Sequence, residues 1–209
     1  MMKKSKRSDV DPFIVMDVME SARIAEENGK DIIHMEVGQP GTPAPKIAKD
    51  YITNEINKNN LGYTVSLGLP ALRTKISKLY GDWYNLDLNP NRIVVTTGSS
   101  GAFILSFSAL FDSGDRVGIG SPSYPSYRQI LKSLSLETVD IQTKLQNRFQ
   151  PVPEDIVNNN LNGILVASPA NPTGSMLDKQ SLENLINTAN ENNISFISDE
   201  IYHGIQYEN

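Results

Sequence analysis

From Asn89-Pro90-Asn91 onward the chain repeats one pattern: a short apolar run of strand length, an abrupt stop at glycine, serine or proline, then a stretch with helical spacing. The runs fall at residues 92–96, 116–120, 137–141, 163–167 and 194–198, and a clear intervening helix spans 181–189. Short runs alternating with helices predict an α/β domain in which helices cover a sheet. Several runs, Ile164-Leu165-Val166 most plainly, are apolar at consecutive positions instead of alternating. That pattern suits strands buried on both faces, and such strands are mainly parallel.

Before Asn89 the rhythm is helical. Ile14, Val15, Val18, Met19, Ala22 and Ala25 recur at helix spacing within 11–28, and Gly29 supplies the stop. Ile47, Tyr51, Ile52 and Ile56 after Pro45, and Leu72, Ile76, Leu79 and Tyr80 after Pro70, continue two further amphipathic patterns. These faces call for something larger to pack on. No internal repeat or low-complexity tract interrupts the chain.

A hydrophobic content of 39% over 209 residues is enough for a sizeable core and argues against disorder. The net charge of −5 gives no general attraction to nucleic acid. Lys3, Lys4, Lys6 and Arg7 resemble the start of a signal peptide, but Ser8 to Pro12 are mostly polar where an apolar core would be needed, so an intracellular, cytoplasmic chain is expected. No run approaches the ~18 apolar residues of a membrane span. The absence of cysteine removes disulfides and thiolate metal sites, and two histidines, His34 and His203, are too few for a histidine-rich metal centre. Neither has an obvious carboxylate partner in the sequence; His34 is read into a short strand beside Met35 and His203 onto a helix surface.

In open α/β sheets, ligands gather beyond the carboxyl ends of the strands, which directs attention to four places. Thr97-Gly98-Ser99-Ser100-Gly101 precedes an apolar helix beginning near Ala102; its glycines, hydroxyls and free amides suit an anion such as phosphate, although a glycine-serine helix cap would look the same. Tyr124 in Ser121-Pro122-Ser123-Tyr124-Pro125 is held between prolines, as a stacking platform or simply as a packed loop residue. The turn Ser168-Pro169-Ala170-Asn171-Pro172-Thr173-Gly174 would present the Asn171 amide in a defined direction. Asp199, ending the run Ile194 to Ser198, either caps a helix starting at Glu200 or meets a partner, because a carboxylate at a buried strand end is costly to keep ionised unless it meets a cation or good donors. Ser198-Asp199-Glu200 also looks like a Walker B strand, but the phosphate loop of a nucleotidase is missing: no lysine follows the glycines.

Taken together and in this order, the four places resemble the class I/II aminotransferases, fold-type-I enzymes that depend on pyridoxal phosphate. The resemblance begins with Glu36-Val37-Gly38-Gln39-Pro40 and continues through Tyr63-Thr64 and Gly68-Leu69-Pro70-Ala71-Leu72-Arg73. Asn171 to Gly174 and Ser198-Asp199-Glu200-Ile201-Tyr202 are its most specific motifs. It implies that Ser99, Ser100 and Gly101 hold the cofactor phosphate, that Tyr124 stacks on the pyridine ring, that Asn171 and Tyr202 hydrogen-bond its phenolic oxygen, and that Asp199 pairs with the protonated ring nitrogen. Gly38 would lie near the substrate carboxylate, and Tyr63 would reach the phosphate of a neighbouring subunit, implying a homodimer. The substrates would be an amino acid and a 2-oxo acid. The resemblance further implies an N-terminal arm and first helix over 1–45, belonging to a small domain, and a cofactor-binding large domain over 46–209.

The family's Schiff-base lysine follows the position of Asp199 by a few tens of residues, and its arginine for the substrate carboxylate comes later still. Here no lysine follows Lys179 and no arginine follows Arg148. The expectation is therefore a mainly parallel sheet cut before the C-terminal domain, with no catalytic residue of its own, inactive by itself and prone to aggregate through unpaired edges. A lyase on the same scaffold, or a non-enzymatic module of this fold, would share the cofactor motifs. Such regulators carry a helix-turn-helix domain at the N-terminus, for which the residues before Phe13 are too few.

Overall fold

The structure, a computed structural model, describes residues 3–39 and 41–205. Its elements are α1 (Ile14–Glu27), α2 (Lys46–Glu55), α3 (Pro70–Tyr84), α4 (Gly98–Leu110), β1 (Arg116–Ser121), α5 (Pro125–Ser133), β2 (Glu137–Gln142), α6 (Pro153–Asn158), β3 (Gly163–Ala167), α7 (Lys179–Glu191) and β4 (Ser195–Asp199), with three short 3-10 turns. They divide into two compact units: Ile14–Thr96, and the residues up to Phe13 together with those from Thr97 onward.

The second unit carries the sheet. Its strand order is β2-β1-β3-β4 and every pairing is parallel, from Arg116 opposite Glu137 to Ala167 opposite Asp199. The continuous apolar run of β3 has the expected cause: Leu165 faces a core formed with Val117, Ile119, Phe103, Phe107 and Leu131, while Ile164 and Val166 face Ile156, Leu185 and Ala189. Thus α4 and α5 cover one face, α6 and α7 the other. Gly163 is required at the amino end of β3, since a Cβ there would run into the Phe111 ring at the end of α4. Phe111 beside the start of β3 fixes the direction of α4, whose N-terminus accordingly lies at the carboxyl end of the sheet.

Residues 92–96 depart from the expectation of a strand. Pro90–Arg92 form a 3-10 turn, and Ile93 is extended (φ −105°, ψ 127°), but the segment joins no ladder among the described residues. An apolar run favours extended backbone, as at Ile93, but a strand also needs a neighbour to share its hydrogen bonds.

The Ile14–Thr96 unit is helical. No residue of α1 or α2 is buried, and Ile14, Ile47, Tyr51 and Ile52 are each more than half exposed. Within it Arg73 is buried, and its guanidinium donates to the Pro90 carbonyl (2.7 Å), the Ile93 carbonyl (2.9 Å) and Asn91 Oδ1 (3.2 Å). A buried cation is tolerable only with its donors satisfied, and this set ties α3 to the chain leading out of the unit. Asn85 ends α3 in the left-handed conformation (φ 53°). Among the described residues, no helix is long and apolar enough to cross a membrane.

Candidate active site

The strand order reverses between β1 and β3: the chain leaves β1 for β2 on one side and leaves β3 for β4 on the other. A crevice at the carboxyl ends of two such strands is the favoured ligand position in this architecture. Here it is a narrow cleft lined by Pro122, Ser123, Tyr127, Gln150, Ala170 and Asn171, among others.

Asp199 ends β4, is buried, and accepts two hydrogen bonds: Tyr127 Oη donates to Oδ2 at 2.5 Å, and the Ile201 amide donates to Oδ1 at 3.0 Å. Burial first, and then the hydrogen bond to Asp199, push the Tyr127 phenol above its ordinary range, so it stays protonated and remains a donor. The Tyr127 ring meets Phe103 of α4 edge-on at 5.3 Å and Tyr124 at 5.5 Å; Tyr124 in turn meets Phe13 at 5.7 Å. No helix starts at Glu200 among the described residues: a turn follows β4, one Asp199 oxygen caps that turn and the other takes a side-chain donor.

Helix α4 starts at Gly98, four residues earlier than expected, so Ser99, Ser100 and Gly101 belong to its first turn. The Thr97 side chain at the N-cap makes no capping hydrogen bond. First-turn amides have no acceptor within a helix and concentrate its positive end, which suits an anion. Asn171 is half-buried, and its side-chain amide has no hydrogen-bond partner among the described residues. Tyr202 is half-buried in the turn after β4, two residues beyond Glu200. The Ser121-Pro122, Ser168-Pro169 and Asn171-Pro172 peptides are cis.

One unit thus holds Ser99, Ser100, Gly101, Tyr124, Asn171, Asp199 and Tyr202. Tyr63 and Gly38 belong to the Ile14–Thr96 unit, where both are exposed; Pro40 of the same motif lies outside the described residues. His34 is not in a strand and does have partners: its Nδ1 meets Glu36 at 2.7 Å and its Nε2 meets Glu26 at 2.9 Å. The Glu36 hydrogen bond first, then the Glu26 one, push its pKa up to about 9. His203 lies in a turn, with Nδ1 3.0 Å from Glu200. Reading along the chain misses these pairs because the side chains meet only once the backbone has folded. Tyr127 and Gln150, both buried in the second unit, were not singled out from the sequence either. Tyr127 leaves one faint signal: it lies three residues after Tyr124, which immediately precedes α5.

A helix start rich in free amides, an aromatic ring following β1 and a buried carboxylate ending β4 thus lie in one unit, and sequence comparison places that unit in a family. The family model for aminotransferase class I and II fits residues 30–209. The chain belongs to this family. The valine–pyruvate aminotransferase of Mycobacterium tuberculosis is 40% identical over 204 residues, which are 97% of this chain and 53% of that protein. A crystal structure from Silicibacter pomeroyi superposes over the whole chain and 54% of its own with a TM-score of 0.89 and 59% identity. The aspartate aminotransferase of Thermus thermophilus with maleate gives a TM-score of 0.93 at 28% identity, over the whole chain and 56% of its own. The fold is therefore the aminotransferase fold, and the chain spans about half the length of the relatives it matches.

Proposed function

We propose that this chain forms the cofactor cradle of a pyridoxal 5'-phosphate-dependent enzyme that transfers an amino group between an amino acid and a 2-oxo acid. The observation carrying this is Asp199: a buried carboxylate at a strand end, beside an aromatic cluster, with one oxygen fixed by Tyr127 and the other by a backbone amide. The donor set fits the cofactor. The first-turn amides and hydroxyls of Ser99 and Ser100, with Gly101, would hold the phosphate. Tyr124 would stack on the ring, and Asn171 and Tyr202 would donate to its phenolic oxygen. Asp199 would keep the ring nitrogen protonated. When bound, the cofactor supplies an electron sink for the charge left at the substrate α-carbon after its proton departs.

The chain's own residues bind and orient in this reading. Tyr127 holds the Asp199 carboxylate in one rotamer, so that its charge faces the ring nitrogen without first paying to order itself. The family's proton-transferring lysine and carboxylate-binding arginine match no position in this sequence, and the reading places those steps in the half of the relatives that the chain does not span. Gly38 would contact the substrate carboxylate, and Tyr63 would reach the phosphate held by a second subunit, so the working form in this reading is a homodimer, placed in the cytoplasm. By role, 1–45 forms the arm and first helix of a small domain, and 46–209 the cofactor-binding domain.

The test uses the full-length form, meaning this chain continued through the half of the relatives it does not span. With an amino-labelled amino acid and a 2-oxo acid acceptor, the label is expected in the new amino acid, with no ammonia released. Release of labelled ammonia with no labelled amino acid would replace transfer by elimination.

A further inference from the structure

Gln150 has no part in the cradle as described, yet it is among the most buried polar residues of the chain, 3% exposed. It lies between β2 and α6. Its Nε2 donates to the Ala167 carbonyl at the end of β3 (3.0 Å), to the Ser175 carbonyl (3.2 Å) and to Ser175 Oγ (3.4 Å). Those acceptors are the two feet of the loop that carries Asn171. The loop is tied across as well: the Ala170 amide donates to the Ser175 carbonyl (3.0 Å), the Gly174 amide to the Ala170 carbonyl (2.7 Å), and the Thr173 and Ser175 hydroxyls meet at 2.8 Å.

The backbone bends to make this contact. Arg148 and Phe149, directly before Gln150, both take left-handed conformations (φ 54° each), which cost non-glycine residues energy and persist only where the surroundings over-determine them. The Gln150 backbone N–H donates to the Asn147 carbonyl at 2.9 Å. A buried primary amide is expensive unless its donors are used, so an apolar side chain would be the cheaper filling if packing alone were required. Gln150 and Asn171 line the same narrow cleft.

We infer that Gln150 is a positioning residue for Asn171: its amide joins the end of β3 to Ser175 and thereby fixes the direction in which the Asn171 amide meets its ligand. This rests on the reading that Asn171 donates to the phenolic oxygen of the cofactor. Gln150 touches no ligand itself. It acts by removing the freedom of a loop whose ligand-facing amide has no partner of its own among the described residues.

The experiment measures dissociation constants in the full-length form for pyridoxine 5'-phosphate and for the analogue lacking the ring hydroxyl. Asn171→Ala is expected to weaken the first about threefold to tenfold, the worth of one hydrogen bond, and to leave the second unchanged. Gln150→Leu is expected to do the same, and the double variant to be no weaker than Asn171→Ala alone. Gln150→Glu preserves the shape and keeps the test open if the leucine variant does not fold. Relative to wild type it should bind more weakly at high pH and recover as falling pH protonates the carboxyl and restores a donor. If Asn171→Ala weakens binding while both Gln150 variants bind like wild type, or if the losses multiply in the double variant, the positioning role is overturned. Normal binding by Asn171→Ala would overturn the assignment of Asn171 to the phenolic oxygen, a separate result.

Discussion

Replacing Asp199 by alanine in the full-length form is expected to lower amino-group transfer by orders of magnitude while the protein stays folded. Removing one partner of a buried, hydrogen-bonded charge pair costs about 2–5 kcal/mol, roughly thirtyfold to a few thousandfold in binding, and the ring nitrogen would lose the carboxylate assigned to it. The structural cost is smaller. The Tyr127 hydroxyl would lose its acceptor, as would the part-buried Ile201 amide, and a buried donor left without one costs about 1–3 kcal/mol, within the stability of an ordinary domain. Steady-state kinetics beside a urea unfolding curve separate the two effects. Near-normal turnover would remove Asp199 from the role given to it.

Phe107→Ala should have the largest effect on stability. Phe107 is fully buried between α4 and the sheet and stacks on Phe103 with ring centroids 5.7 Å apart. Truncating a buried phenylalanine to alanine costs about 3–5 kcal/mol, a large share of what holds a domain together. The expected result in the full-length form is a clearly lower urea midpoint with an unchanged slope. The loss also reaches the site, because Phe103 supports Tyr127 and Tyr127 holds Asp199. An unchanged midpoint would mean that the α4 core is not the one described.

Which parts of this were legible beforehand depends on how local their physics is. The run 163–167 could be read to the residue, because a strand buried on both faces must be apolar at consecutive positions and Gly163 and Ser168 bound it. Residues 92–96 carry a similar apolar signal through Ile93, Val94 and Val95 but lack a ladder partner among the described residues, and composition cannot report a missing neighbour. α4 starts at Gly98 and not near Ala102 because packing of Phe103 and Phe107 overrides the poor helix preference of glycine and serine. The motifs around Ser99, Tyr124 and Asn171 are legible because proline and glycine punctuate them, and Asp199 because it is a carboxylate ending an apolar run. Tyr127 did not, since its meaning comes from an acceptor 72 residues away. Gln150 is hidden for the same reason: an amide in a polar loop looks solvated until the fold closes Ala167 and Ser175 over it.

The most direct measurement is the magnetic resonance signal of an isotopically labelled ring nitrogen in pyridoxine 5'-phosphate bound to the full-length form. The account predicts a protonated nitrogen that persists well above the pH at which the free ligand loses its proton, and loss of that protonation in Asp199→Ala. A bound ligand whose ring nitrogen titrates as it does in water, with or without Asp199, would contradict the cradle.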